Sequence, residues 1–134
     1  MKLCRLKKRL GKLVLTETVA CIRGGRWTCV AAQNGEAIEP ILICRDAAGH
    51  ALILDGNQRA CCCLRHRRTL GAYVVTGDHD AEAILRLEAA RTIRPFPRRD
   101  FLMGTLSFQD LLREVEVTAN RFGRRTVEAA VAAI

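Results

Sequence analysis

Leu52-Ile53-Leu54-Asp55-Gly56-Asn57-Gln58-Arg59 reads as an apolar strand that breaks at Asp-Gly and launches a helix carrying an arginine. That layout can hold a phosphate. Glycine lets the backbone turn sharply and approach a ligand, the first amides of a helix point outward without intrahelical partners, and an arginine fork adds charge-assisted hydrogen bonds to an anion. Asp-Gly is also a common turn signal, so an ordinary strand-turn-helix corner stands beside the phosphate reading.

Working outward, Pro40 opens a strand at Ile41-Leu42-Ile43-Cys44, and Asp46-Ala47-Ala48-Gly49 turns it into Ala51 to Leu54 as a hairpin. Asn57 to Arg67 follows as a helix that Gly71 ends, and Ala72-Tyr73-Val74-Val75 is a further strand. Upstream, Lys12 to Val19 alternates weakly as a strand, whereas Ala20 to Gly35, broken by Gly24-Gly25, fits either a short helix or a hairpin. Downstream, Asp78 or Asp80 caps an amphipathic helix with Ala81, Ile84, Leu85, Leu87 and Ala89 on its apolar side, running to about Thr92 before Pro95 and Pro97 force a loop. Ser107, with Asp110 three residues on, caps a helix through Arg121 whose apolar face is Leu111, Leu112, Val115 and Ala119; Phe122-Gly123 ends it. Thr126 to Ile134 is short and apolar, and docks on the core or on another subunit.

With 134 residues the chain has the size of one domain, and 49% hydrophobic against 27% charged residues makes it globular rather than disordered. Apolar runs such as Ala129 to Ile134 fall far short of the ~20 residues a membrane span needs. Met1 to Lys12 is basic but lacks the apolar stretch of a secretory signal, so a cytoplasmic protein with no membrane partner is expected.

Seven cysteines are present, but no Cys-x-x-Cys, and His50, His66 and His79 do not pair with them at zinc-finger intervals. In a reducing cytosol Cys61-Cys62-Cys63 serve as small apolar helix packing; a redox-sensing thiol near the helix start and Arg59 is the alternative. The net charge of +8 gathers at Lys7-Lys8-Arg9, Arg65-His66-Arg67-Arg68, Arg98-Arg99 and Arg124-Arg125. Two of these clusters have a basic-aromatic texture, Arg94-Pro95-Phe96-Pro97-Arg98-Arg99 and Arg121-Phe122-Gly123-Arg124-Arg125. Arg98, Arg99, Arg124 and Arg125 are therefore candidate nucleic-acid contacts, with a solvated surface as the alternative.

The run Gly35-Glu36-Ala37-Ile38-Glu39-Pro40-Ile41-Leu42-Ile43, the hairpin, Leu54-Asp55-Gly56-Asn57-Gln58-Arg59, the small-residue helix and Gly71-Ala72-Tyr73-Val74-Val75 together resemble the ParB/sulfiredoxin superfamily, over about Leu13 to Gly77. The resemblance implies an α+β fold, a small mixed β-sheet with helices, and a turn-helix glycine and arginine that hold nucleotide phosphates. The chain then divides into a basic N-terminal segment (1–12), a ParB/sulfiredoxin-like core (13–77) and a C-terminal helical extension (78–134).

Comparison with the family's motifs narrows the activity. Sulfiredoxins place their catalytic cysteine in Gly-Cys-His-Arg, where this chain has Asn57, so sulfinic-acid reduction is not implied. Partitioning ParB proteins carry Gly-Glu-Arg-Arg and a helix-turn-helix domain for which this chain has little room. Related free-serine kinases carry Asp-Gly-His-His-Arg and an early acidic base that would fall on Glu17, although their proline and both histidines are missing here. What the resemblance implies is a stand-alone, plasmid-type ParB-like protein, with weak ATPase or DNase activity. ATP or CTP would bind through Gly56, Asn57, Gln58 and Arg59, and Asp55 would hold Mg²⁺ or orient water, or else merely cap the helix. Glu39 and Glu17 are further candidate bases or metal ligands, and His66 could reach phosphate. The alternative is a non-catalytic basic adaptor or inhibitor that binds DNA or a protein partner.

Overall fold

The computed structural model describes residues 1–17 and 26–133, with side chains described at all of these except 26–29. Pro40 leads into β2 (Ile41–Arg45), which pairs antiparallel with β3 (Ala51–Asp55), Ile43 lying opposite Ile53 and Arg45 opposite Ala51. The Asp46 carboxylate closes the connecting turn by accepting from the His50 amide at 2.9 Å. From β3 the chain enters α2 (Asn57–Arg65) and returns as β4 (Leu70–Val74), parallel to β2 on its other side. β1 (Leu3–Leu6) pairs antiparallel with β4, so the strand order is β1-β4-β2-β3. A mixed four-stranded sheet flanked by helices places the chain in the α+β class.

Because strand side chains alternate, the sheet sorts its apolar residues onto two faces. Ile41, Ile43, Ile53 and Ala72 pack with Ala60, Cys61 and Cys63 of α2 and with Val127 and Ala130 of α6 (Val127–Ala132). Leu42, Cys44, Leu52 and Val75 face the other way. They meet Ile84 of α3 (Asp80–Ala89), Phe101 of α4 (Arg99–Leu102) and Leu111 and Ala119 of α5 (Phe108–Arg121). The helices beyond residue 77 therefore complete both cores. Residues 13–15 lie between β3 and the C-terminal segment: Val14 donates to the Ala51 carbonyl at 2.8 Å, Leu15 donates to Arg125 O at 2.8 Å, and Val127 donates to Leu13 O at 2.9 Å. The buried side of α6 is thus used on the chain's own core.

Several elements differ from expectation. The N-terminal basic segment contains the edge strand β1 and a 3-10 turn, Leu10–Lys12, whose Leu10 is fully buried. Leu3-Cys4-Arg5-Leu6 carries too short and irregular an apolar pattern to give β1 a local signal; its pairing with β4 supplies the rest. The strand expected over Lys12 to Val19 reduces to a bridge at Val14 among the described residues, and its end lies outside them. The helix reading of the next segment holds at α1 (Arg26–Gln33), while residues 20–25 lie outside the described residues. α2 stops without Gly71: Arg67 adopts φ 55° and Arg68 donates to Cys63 O at 2.7 Å, a left-handed helix end made by a non-glycine residue. Gly71 sits inside β4, where a Cβ would come 3.2 Å from Leu3 Cδ1. Asp80 does not cap from outside its helix but accepts from the Thr76 amide at 2.7 Å, and Asp78 reaches the Phe108 amide at 2.6 Å. The Ser107 cap and the end of its helix at Arg121 are as expected, with Ser107 Oγ accepting from the Asp110 amide at 3.1 Å. Among the described residues, no helix is long and apolar enough to cross a membrane.

Candidate anion site at the Asp55 corner

The corner is built by Gly56. Its φ of 118° belongs to the region that disfavours side chains, and a Cβ there would lie 2.1 Å from Ile41 Cγ2, so only glycine lets the chain leave β3 and enter α2 against β2. Two polar side chains of the first helical turn then fold inward. Asn57, 4% exposed, accepts from the Thr16 amide at 2.8 Å and donates from Nδ2 to Thr16 Oγ1 at 3.0 Å, while Thr16 Oγ1 donates to the Ile53 carbonyl at 2.7 Å. Arg59, 7% exposed, donates from Nη1 to the Glu39 and Pro40 carbonyls at 3.1 and 2.7 Å and from Nη2 to Asp55 Oδ2 at 3.1 Å. Both residues therefore hold the corner together as well as line it. The Asn57 side chain has a structural role, its Oδ1 and Nδ2 both engaged by Thr16.

A pocket of about 290 Å³ opens at this corner, bounded by Glu17, residues 55–59, Arg94, Pro95 and Pro97. Arg94, the first residue of the basic-aromatic segment that runs to Arg99, enters this pocket rather than joining Arg98 and Arg99. Its segment is held by Phe96, which is fully buried and packs edge-on against Phe101 at a centroid distance of 6.4 Å. The Phe96 amide donates to Glu88 Oε2 at 2.8 Å, and Arg99 braces the same carboxylate at 2.7 Å. The Pro-Phe-Pro pattern was the available signal, because a lone aromatic between two prolines is a plausible anchor; which part of the molecule it plugs is a tertiary matter.

Charge in the pocket is coupled. Burial pushes the Asp55 carboxyl up, against the downward pull of Arg59 and Arg94. Partial burial and the neighbouring Asp55 raise Glu17. Burial lowers Arg59, with Asp55 opposing and Arg94 reinforcing. Two carboxyls raised above their ordinary range thus share a small pocket with two arginines, an arrangement able to meet an anion and to hold or move a proton. Among the described residues no group of three or more His, Cys, Asp or Glu could hold a metal ion. Asp55 and Glu17 are the two carboxylates that line the pocket.

The other expected residues lie elsewhere. Glu39 gives its carbonyl to Arg59, but its side chain is exposed and does not line the pocket. His66 caps the far end of α2. Arg98 is bound by Asp100 at 2.9 Å and Glu114 at 2.7 Å, Arg99 by Glu88, and Arg124 by Asp46 and by Asn120 at 3.1 Å. Arg125 is exposed and has no ion pair among the described residues. Three of the four arginines assigned to nucleic acid are therefore matched by carboxylates of the same chain, because distant acids on α3, α5 and the hairpin turn fold against them. Cys44 and Cys61 are buried, which pushes their thiols up to about 12, and Cys63 is raised for the same reason, all opposite to what a redox-sensing thiol requires. Cys62 is buried as expected but is disulfide-bonded rather than a free thiol.

No family model matches the chain, and neither does any curated protein or solved structure.

Proposed function

We propose that the chain is a ParB-like protein that binds ATP or CTP through its phosphates at the Asp55 corner and acts on or beside DNA, with weak nucleotide hydrolysis or DNA cleavage. The observation that carries this reading is the position of Arg94, an exposed cation at the rim of a pocket that also holds the start of α2, Arg59, Asp55 and Glu17. Arg94 and the helix start would receive the phosphates. Asp55 and Glu17 would take Mg²⁺, which when bound neutralises phosphate charge and polarises the P–O bond. In hydrolysis, a water oxygen bonds to the terminal phosphorus as the bridging P–O bond breaks, and its proton passes to Asp55 or Glu17.

The test is calorimetric titration of ATP and CTP with Mg²⁺ into the wild type, Arg94→Ala and Asp55→Asn, followed by phosphate release from the same samples. Arg94→Ala should weaken binding about tenfold or more, the value of one charge-assisted contact. Asp55→Asn should abolish turnover. No binding by the folded wild type would sink the nucleotide reading.

One observation favours the second reading, a non-catalytic adaptor or inhibitor that binds DNA or a protein. Arg59, the motif's expected phosphate ligand, already holds two carbonyls and Asp55. In that case Arg94→Ala changes partner binding and no phosphate is released.

A further inference from the structure

On the face of the sheet that carries α2 and α6, but at its other end, lies a second concavity of about 600 Å³ that shares no lining residue with the Asp55 pocket. Its apolar floor comes from Leu6, Leu13, Ile43 and Val74. Around that floor stand Arg5, Arg9, Lys12 and Arg45, and no carboxylate lines the groove. Among the described residues none of these four cations has an ion pair; Arg45 donates only to the Gly49 carbonyl, at 3.3 Å. Arg98, Arg99 and Arg124 stand in contrast, each neutralised within the chain.

We propose that this groove binds a small amphiphilic anion, a free carboxylate- or phosphate-headed molecule with an aliphatic body. Its volume lies within the usual range of small-ligand sites. The cations supply a complement for the headgroup, and the strand side chains cover the aliphatic part, whose burial drives the association. Nucleic acid fits less well. No Phe, Tyr or Trp lines the groove to stack a base, and a phosphate backbone would leave the apolar floor uncovered. The segment 9–13 that forms one wall is fixed by Leu10, fully buried, and by Gly11, whose Cα packs so closely on α6 that a Cβ would come 3.2 Å from Glu128 Cβ. The wall is therefore preformed.

The probe is decanoate kept monomeric in solution, titrated calorimetrically into the intact chain, with decyl phosphate, decanol, a labelled DNA duplex and anionic phosphatidylglycerol vesicles as further arms. Decanoate or decyl phosphate should bind saturably with a negative heat-capacity change, and decanol at least about tenfold more weakly. Arg9→Glu and Arg45→Glu, both at exposed positions, should each weaken binding about tenfold or more, whereas Arg113→Glu, on the outer side of α5, should not. The proposal is overturned if neither anion saturates by about 1 mM, if decanol binds as well, or if the groove variants bind as the wild type does. It is equally overturned if only DNA or only vesicles are bound. ATP titration of Arg9→Glu separates this site from the nucleotide proposal, since that variant should bind nucleotide like the wild type.

Discussion

Arg59 donates from Nη1 to the carbonyl of Pro40 at 2.7 Å, tying the first turn of α2 to the residue that opens β2. The same guanidinium holds Asp55 at 3.1 Å, so a single side chain joins three consecutive parts of the fold. Replacing it with Ala leaves the largely buried Asp55 carboxyl without its cation and two carbonyls without a donor. We expect a loss of about 3 kcal/mol in urea unfolding, with Arg59→Lys recovering less than half, because an ammonium cannot reproduce the fork. An Arg59→Ala protein as stable as the wild type would mean that the guanidinium does not hold the corner.

Gly56→Ala tests the turn itself. Positive φ and the 2.1 Å approach to Ile41 act together, and relieving either moves the backbone of the pocket. A destabilisation of about 2 kcal/mol or more is expected by chemical denaturation, whereas Gly49→Ala, at a turn with open space around it, should cost about 1 kcal/mol.

Asn57→Ala removes both contacts to Thr16 and should cost about 2 kcal/mol, because the Thr16 amide loses its acceptor in a partly buried setting. Hydrogen exchange at the Thr16 amide should accelerate selectively in the variant. Unchanged exchange there would contradict the pairing.

Stability should respond to pH with opposite signs at two aspartates. Asp55 is raised in the folded state, so its favourable contribution is complete below the ordinary carboxylate pKa of about 4 and is lost as pH rises through the folded value. The stability of Asp55→Asn minus that of the wild type should therefore increase with pH. At Asp46 burial pushes up, but the His50 amide and Arg124 outweigh it and hold the carboxyl below its ordinary value. Its contribution is present above the ordinary pKa and lost as pH falls, so the wild type should gain on Asp46→Asn as pH rises. Unfolding curves from about pH 3 to pH 7 distinguish the two trends.

Alkylation should sort the free thiols by burial. Cys4 is half-exposed, whereas Cys44, Cys61 and Cys63 are buried with raised thiols. Mass spectrometry after brief iodoacetamide treatment at neutral pH should find Cys4 modified and the other three protected until denaturant is added. Rapid labelling of Cys61 in the folded protein would restore the redox alternative.

The parts of the fold legible in the sequence are those that local chemistry fixes. The hairpin followed from a Pro-opened apolar strand and an Asp-to-Gly turn, and the helix from Phe108 to Arg121 from a Ser cap and a 3.6-residue apolar face. β1 was not legible, since four residues interrupted by the cation Arg5 mean little until β4 lies beside them. At the site, the Asp55-Gly56 corner was legible through its glycine, but the work of Asn57 and Arg59 was not. Their partners Thr16 and Pro40 stand 41 and 19 residues away in sequence.

By itself the sequence determined the hairpin, the helices that follow Gly56 and Ser107, the two-faced alternation of the hairpin strands and the sharp turn at Gly56, because dihedral preference, capping and side-chain period act within a few residues. Tertiary structure alone decided which charges are cancelled and which stay available. Arg98, Arg99 and Arg124 meet carboxylates brought from other elements, while Arg94 is left over the Asp55 pocket by the burial of Phe96. An ion pair depends on distance in space, and that distance is fixed only when the remote segments pack.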